Sequence, residues 1–455
     1  MLQVVVVGGG PAGLIAAEVL ARAGLSTTLI ESHPQRLLPC AGLLTPAALA
    51  ALEAPDLLTT HRIHELAVYS PTQRVAYVSF GGPERYATEI RRELLHAYLR
   101  RRAEEAGVVI RHARFRRFLH GDGDYPLLEI SPLDSHQRER LAADVVIAAD
   151  GIHSKVAATL GLPALQLGIT YMEHLTVPGA AGRTPESVQI HFGRKIAPER
   201  FGWVIPAEDR WTVGINAPLR YGRRVRDLQA RLRHRLGHHL DGAEVLGRAA
   251  FFFPWVHQPR FVHDRVVFIG DAAGLGTGLT MDGLYYAAVT ARLAAEVIVE
   301  HQHMPTPDRL RDYQQRFEAR HGDFLTALEA FERQFFTHDK HRESLLDLAW
   351  ERDLHRVAMD AYFDKRAPRL SWPQQLRFKA RYTASLLKQT LATQKREHDA
   401  IARVMPLAGN YLDLALSNRG TGPLPNPAAA EAAPTVKLKK RSNRPPAEAR
   451  ETPPS

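Results

Sequence analysis

The chain has 455 residues, enough for two or three lobes around a buried core, with a net charge of +10 and a pI near 9.7. Its single cysteine, Cys40, excludes an intrachain disulfide, and no apolar run reaches the roughly 18 residues of a membrane-spanning helix. The positive charge favours anionic partners such as lipid head groups or diphosphates. No nucleic-acid-binding motif is present, and oligomeric state stays open.

The N-terminal block predicts a strand, a helix and a strand. Gln3 to Val7 contains four valines, typical of a buried parallel strand, and Pro11 to Ala23 has the composition of a helix. Thr27 to Ile30 is the second predicted strand. Because the first strand begins at Gln3, we expect no signal peptide and a cytoplasmic location.

The next segments alternate between strands and helices. Residues 61–80 predict paired strands, Ile90 to Gly107 a helix, and Asp144 to Ala149 a buried strand. Residues from about 165 to 253 are mostly strand, interrupted by a helix at Val225 to Leu236. Arg265 to Ile269 then predicts a strand.

The C-terminal part is predominantly helical. Leu284 to Glu300 is one long predicted helix, and Pro307 to about Val404 is almost wholly helical. From Pro423 onward the chain is rich in Pro and Ala and too poor in large apolar residues to fold, so we expect a disordered basic tail. The tail cations Lys437 to Arg444 would either contact anionic lipid or remain solvated.

Residues 8–13 read Gly-Gly-Gly-Pro-Ala-Gly, directly after the first strand and at the start of the first helix. In this context Gly8 permits a tight turn, Gly10 allows close approach of a pyrophosphate, and Gly13 allows helix and strand to pack. The helix N-terminus offers free N–H groups to phosphates. Glu31 ends the second strand, where a carboxylate accepts hydrogen bonds from a ribose and disfavours a 2′-phosphate.

Two further strand ends carry a carboxylate beside glycine. Residues 144–151 end in Asp150-Gly151, and residues 266–274 end in Gly270-Asp271-Ala272-Ala273-Gly274. A carboxylate at such a position can bind a ribityl hydroxyl, and a helix starting near Met281 can direct its N-terminus at the flavin. In this order the three motifs select FAD, although each strand-to-turn junction alone is common.

The same order resembles the aromatic-hydroxylase-like flavoproteins. The resemblance implies an α/β fold in which a Rossmann-type FAD-binding domain (1–60, 88–165 and 254–300) is interleaved with a β-rich substrate domain (61–87 and 166–253). A helical C-terminal region (301–405) and the disordered tail (423–455) would follow. It also implies a flavin-contacting arginine, for which Arg92 fits best; otherwise Arg92 belongs to a solvated helix face.

A closer resemblance is to the geranylgeranyl reductase family, in its chlorophyll and bacteriochlorophyll branch. The segments that carry this resemblance are 38–43 (Leu-Pro-Cys-Ala-Gly-Leu), 201–206 (Phe-Gly-Trp-Val-Ile-Pro), 283–287 (Gly-Leu-Tyr-Tyr-Ala), and the C-terminal runs 335–339, 342–343 and 360–365. Three positions depart from the family: Ala41 replaces a glycine, Leu38 replaces a lysine, and 281–283 read Met-Asp-Gly in place of Gly-Glu-Gly.

This resemblance implies reduction of isolated double bonds of a geranylgeranyl chain, as the diphosphate or the pigment ester. Cys40 would donate the proton, since an unpolarised alkene needs one as charge develops, and a protonated thiol can supply it; otherwise Cys40 is an inert buried thiol. Trp203, Tyr285 and Tyr286 would form cavity walls or, alternatively, plain core. The expected cofactor-binding residues are Gly8, Gly10, Ala12, Gly13, Glu31, Arg92, Asp150, Gly270, Asp271 and Gly283.

One nucleotide fingerprint implies that NADPH visits transiently as the external reductant, or that reduced ferredoxin replaces it. We expect no metal site, since no histidine has convincing ligand spacing. An insoluble substrate and a basic chain predict peripheral membrane association. The alternatives are a flavin monooxygenase, another polyprenyl-lipid reductase, and a non-catalytic flavin-binding homologue.

Overall fold

The structure, a computed structural model, gives eighteen strands among the residues that it describes. It describes residues 1–35, 40–119, 125–135, 137–178, 187–207, 210–276, 280–349 and 351–392, apart from the side chain of residue 352. The strands are β1 (Gln3–Val7), β2 (Ser26–Glu31), β3 (Leu43–Leu44), β4 (Thr59–Ile63), β5 (Glu65–Tyr69), β6 (Val75–Ser79), β7 (Ala87–Ile90), β8 (Val109–Leu119), β9 (Leu127–Pro132), β10 (Glu139–Ala142), β11 (Val145–Ala148), β12 (Leu167–Thr176), β13 (Ser187–His191), β14 (Gly202–Pro206), β15 (Trp211–Pro218), β16 (Glu244–Pro254), β17 (Val262–His263) and β18 (Val266–Phe268).

Eleven α-helices lie among the same residues. They are α1 (Pro11–Arg22), α2 (Pro46–Leu52), α3 (Arg92–Glu105), α4 (Lys155–Thr159), α5 (Val225–Leu236), α6 (Gly283–Glu300), α7 (Pro307–Leu310), α8 (Asp312–Phe335), α9 (Asp339–Ala349), α10 (Arg352–Asp364) and α11, described over 372–392. The predicted helices at α1, α5 and α6 are confirmed to within a residue or two. The predicted disordered tail and residues 393–405 lie outside the described residues.

The first sheet forms the Rossmann-type part of the fold. Its strand order is β10-β9-β8-β2-β1-β11-β18-β17, and β1 pairs in parallel with both β2 and β11. The valines of β1 are all buried because helices and loops cover both faces, which explains the uninterrupted apolar run. The carboxyl ends of β1, β2, β11 and β18 therefore meet at one edge, the usual binding edge of such a sheet.

The second sheet has seven strands in the order β16-β12-β15-β14-β13-β5-β6, and a three-stranded sheet, β3-β7-β4, lies apart from it. The predicted pairing within 61–80 is confirmed by the antiparallel β5–β6 hairpin. Alternating residues of β14 and β15 face α5 on one side, where Val204, Val213 and Leu232 pack together. On the other side Trp203 and Ile205 face a separate apolar cluster.

One predicted boundary is wrong. The helix expected from Ile90 to Gly107 begins only at Arg92, because Ile90 belongs to β7 and pairs with Thr59 of β4. The side chain of Ile90 is fully buried in the core, and its N–H donates to the carbonyl oxygen of Gly42 (2.9 Å). Residues Met1–Leu391 form one compact unit, and the features described below lie within it.

Candidate active site

A cavity of about 1190 Å³ extends from the carboxyl edge of the first sheet to the second sheet and the C-terminal helices. This exceeds the roughly 300–1,000 Å³ of most small-molecule pockets. Most of the side chains that line it are apolar, whereas Glu31, Asp150 and Asp271 line it at the carboxyl edge of the first sheet. One end therefore suits a polar nucleotide and the rest suits an apolar molecule.

The glycine turn before α1 lies at the polar end. Gly8 has φ +112°, and a Cβ there would lie 2.3 Å from the carbonyl oxygen of Ala149. A Cβ on Gly13 would lie 1.9 Å from the carbonyl oxygen of Gly8, so both glycines are required by the packing of strand and helix. A Cβ on Gly10, the N-cap of α1, would meet nothing within 4 Å. That open space, beside N–H groups that no side chain caps, is where a phosphate fits.

Glu31 lies where β2 ends and lines the cavity beside the glycine turn. The N–H of His33 donates to its Oε1 (2.6 Å), which fixes the carboxylate. A Cβ on Gly9 would lie 2.1 Å from Oε2, so the turn must remain free of side chains there. The position matches that of an acidic residue that binds a ribose.

Arg92 and Asp271, far apart in sequence, both line the cavity. Nε and Nη1 of Arg92 are buried without a partner among the described residues. Burial raises the pKa of Asp271 to about 6, and the charge of Arg92 opposes this shift. Gly283, the first residue of α6, lies beside Asp271. A Cβ added to Gly283 would be 3.7 Å from Oδ1 of Asp271. Orphaned buried donors cost free energy, which a bound acceptor would recover.

Two predicted cofactor residues shape the turn after β18. Gly270 has φ +56°, and a Cβ there would lie 3.1 Å from Cβ of Ala12. Ala12 lines the cavity, whereas Gly270 does not. The N–H of Gly270 donates to Oγ1 of Thr290 (3.0 Å), which ties the turn to α6. Gly270 thus supports the site through the backbone.

Asp150 follows β11 and also lines the cavity. The N–H of Val156 donates to its Oδ2 (3.0 Å), whereas Oδ1 is buried without a partner among the described residues. Burial raises the pKa of Asp150, and hydrogen bonds from Ser154 and backbone groups oppose the shift. The free oxygen is available to a hydroxyl or N–H of a bound molecule.

The turn that carries Cys40 lies against the same cavity. The N–H of Gly42 donates to Sγ of Cys40 (3.4 Å), so the thiol hydrogen is not engaged in that contact. Gly42 has φ +77°, and a Cβ there would lie 2.6 Å from the carbonyl oxygen of Ile90. The thiol is half-buried and therefore reachable from the cavity.

The three departures from the family pattern differ in their local effect. Ala41 does not have a positive φ, so its methyl group is tolerated. It packs against the apolar cluster that contains Trp203 and Ile205. Met281 has φ +56°, a conformation that glycine adopts readily and a bulky residue rarely does. Leu38 lies outside the described residues.

Trp203 and Tyr285, the first two of the three predicted cavity-wall residues, line the apolar part of the cavity. Gly214 on β15 leaves room for the indole, since a Cβ there would lie 2.3 Å from the ring of Trp203. Tyr286 does not line the cavity. Neighbouring residues on a helix point about 100° apart, and Tyr286 is fully buried against Phe317 and His321.

The C-terminal helices supply much of the apolar wall, and none of their cavity-lining side chains was predicted from the sequence. Their cavity-lining side chains include Phe331, Phe336, Leu345, Leu354, Met359 and Phe378. Apolar spacing on amphipathic helices was the available signal, but it could not say what those faces cover.

Ion pairs hold these helices on the rest of the molecule. Arg74, next to β6, contacts Glu343 (3.0 Å) and Asp347 (2.7 Å) of α9. Nζ of Lys365, just after α10, lies 2.7 Å from Oδ2 of Asp282, and both side chains are buried. Because Asp282 is the N-cap of α6, this pair joins the C-terminal region to the edge of the nucleotide site.

One group of three candidate metal ligands is found among the described residues: Glu300, His301 and Asp312. Nη2 of Arg316 lies 2.6 Å from Glu300 and 2.5 Å from Asp312, so a guanidinium already neutralises both carboxylates. None of the three residues lines the cavity. It gives no reason to assign a metal.

The unpartnered atoms of Arg92 and Asp150, the open space at Gly10 and the carboxylate of Glu31 fit a dinucleotide flavin. Fold and site thus define an FAD-binding oxidoreductase. The family model described as an FAD binding domain matches residues 1–316, more than half of the chain.

Two sequence relatives show which family of FAD-binding oxidoreductases the chain belongs to. Geranylgeranyl diphosphate reductase of Synechocystis sp. is 30% identical over 407 residues, covering 85% of this chain and 98% of that protein. Geranylgeranyl diphosphate reductase of Rhodobacter capsulatus is 29% identical over 367 residues, covering 79% and 91%. The chain belongs to the geranylgeranyl reductase family.

The fold has a close counterpart among solved structures. A geranylgeranyl bacteriochlorophyll reductase-like protein of Thermoplasma acidophilum superposes with a TM-score of 0.71 at 19% identity, covering 86% of this chain and 98% of that one. Among the described residues, no helix is both long and apolar enough to cross a bilayer.

Proposed function

We propose that this chain reduces isolated carbon–carbon double bonds of a geranylgeranyl chain, carried by a diphosphate or by a chlorophyll-type pigment, to the phytyl form. The observation that supports this most is the continuous cavity, which begins at the FAD-binding turn and ends among Trp203, Tyr285 and the C-terminal helices. A long apolar chain fits there with its alkene near the flavin end.

The residues at the flavin end of the cavity have separate roles in the reaction. FAD, when bound and reduced, supplies the hydride. Cys40 would supply the proton to the alkene carbon at which negative charge develops, because its thiol borders the cavity and its S–H is not used by Gly42. Trp203 and Tyr285 exclude water and orient the chain.

The external reductant is proposed to be NADPH, visiting transiently, with reduced ferredoxin as the alternative. The support is that the chain has one nucleotide fingerprint, which FAD uses. Anaerobic mixing of the FAD-loaded protein with each reductant, followed by flavin absorbance, discriminates them. Bleaching by neither would contradict both assignments.

A reductase and a monooxygenase of the same fold differ in their need for oxygen. The experiment is to add geranylgeranyl diphosphate, or a geranylgeranyl pigment, to the photoreduced protein under argon. We expect substrate-dependent flavin reoxidation and no oxygen consumption in a parallel aerobic assay beyond the substrate-free rate. Substrate-stimulated oxygen uptake with a hydroxylated product would overturn the proposal.

Membrane association is the remaining part of the proposal. The substrate is insoluble in water, and the chain carries a net charge of +10, which favours an anionic surface. The protein would act at a bilayer surface, peripherally.

A further inference from the structure

The outer side of α11 exposes four large apolar side chains. Trp372 is 74% exposed, Leu376 54%, Leu387 60% and Leu391 55%. Their spacings of four, eleven and four residues place them on one side of a helix. Single exposed leucines are ordinary, but four large apolar side chains exposed on one side of one helix are not. These four residues are named the α11 stripe.

The α11 stripe is not left over from an undocked helix, because the opposite side of α11 is already packed. Phe378 lines the cavity and stacks with Tyr382 (6.1 Å between ring centroids). Tyr382 shares a hydrogen bond of 2.6 Å with Nδ1 of His341, and Ser385 donates to Asp347 (2.5 Å). The stripe therefore faces away from the core.

The charged residues of α11 itself are all basic. Between Asp364 and Glu397 the sequence contains no Asp or Glu, whereas α11 carries Arg377, Lys379, Arg381 and Lys388. Arg377 and Arg381 reach acidic residues of the preceding helix region, Asp353 (3.3 Å) and Glu351 (2.7 Å). Lys379 and Lys388 are exposed on either side of the stripe. A helix with an apolar row, a terminal tryptophan and flanking cations matches those that lie in a membrane surface.

We propose that the α11 stripe is the membrane-docking surface and that its partner is a bilayer containing anionic lipids. Apolar side chains enter the acyl region, and the lysines contact the head groups. Phe378, on the inner side of the same helix, borders the cavity, so docking places the cavity wall next to the bilayer. This rests on the proposed function only for the reason to dock, since the substrate chain is a lipid.

The test uses the full chain loaded with FAD and vesicles of equal parts phosphatidylcholine and phosphatidylglycerol, in a flotation assay without substrate. The variant W372S/L376S/L387S/L391S should partition at least about a hundredfold more weakly. Lys379→Gln with Lys388→Gln should weaken it about fivefold for each charge, and only at low salt. The control is L57S/L246S, whose leucines lie outside α11 and are 82% and 59% exposed, and it should bind as the wild type does.

A second measurement does not depend on the multiple variant folding. Vesicles with brominated acyl chains should quench part of the tryptophan fluorescence of the wild type, and Trp372→Phe should lose that part. Undiminished flotation of the stripe variant, or equal quenching in Trp372→Phe, would overturn the proposal. So would conversion of a dimer to a monomer by the stripe variant with vesicle binding unchanged, which would make the stripe a subunit interface.

The stripe variant should still reduce detergent-dispersed substrate at the wild-type rate. Vesicle binding without any turnover by the wild type would count against the proposed reaction and leave the docking surface standing. The two failures are therefore distinguishable.

Discussion

Replacing Asp271 by asparagine should stabilise the protein stripped of FAD, and by an amount that grows with pH. The carboxyl group is enclosed by the site, which raises its pKa from 3.8 to about 6. A raised pKa contributes stability that is present below pH 3.8 and is lost as pH rises through about 6. The asparagine amide of the variant stays neutral throughout, so the wild type alone carries this loss.

The magnitude follows from the two pKa values. Each unit is worth about 1.36 kcal/mol, so the full penalty is about 3 kcal/mol at pH 7 and about 1 kcal/mol at pH 4.5. Urea unfolding of wild type and Asp271→Asn at both pH values should thus give free-energy differences that diverge by about 2 kcal/mol. Asp134→Asn, at an exposed site, is the control and should show no such divergence.

The same difference in free energy of unfolding at pH 4.5 and pH 7 would refute the reasoning, because it would mean that the site does not raise the pKa of Asp271 in the protein without FAD. With FAD bound, Asp271→Asn should instead lose affinity, since the carboxylate is the expected acceptor for a ribityl hydroxyl.

Three further changes test other parts of the site. Cys40→Ala should keep FAD and flavin reduction but lose about 10²- to 10⁴-fold in alkene reduction, measured in a single turnover; an unchanged rate would make Cys40 a packing residue. Glu31→Arg should release FAD during gel filtration, whereas full retention would remove Glu31 from the ribose site. Lys365→Met should lower the free energy of unfolding by about 3–5 kcal/mol by leaving the buried Asp282 unpaired, and K365M/D282N should recover much of it; a loss below about 1 kcal/mol would contradict this.

The nucleotide end was predictable because its requirements are local. Gly8 and Gly13 are required by the close packing of the strand, the turn and the helix, and Glu31 ends the next strand. These residues keep the same positions relative to the strand–turn–helix unit wherever that unit binds a dinucleotide, so they can be recognised from their spacing in the sequence.

The other features of the site and the start of α3 could not be predicted, because they depend on contacts between distant parts of the chain. The sequence around Arg92 does not indicate that its guanidinium lies close enough to Asp271 to affect the pKa of that carboxyl group. The sequence of α6 does not indicate that Tyr285 faces the cavity while Tyr286 faces His321. The positive φ of Met281 and the placement of Ile90 in β7 are set by tertiary packing that overrides local preference.

The most direct test of the proposed reaction is single-turnover reoxidation of the reduced, FAD-loaded protein by geranylgeranyl substrate in the absence of oxygen, with product analysis. The account predicts that flavin absorbance returns at a rate that depends on substrate concentration and that the product carries a phytyl chain. If neither the diphosphate nor the pigment ester reoxidises the wild-type flavin, or if the chain is recovered unreduced, the proposed function is wrong.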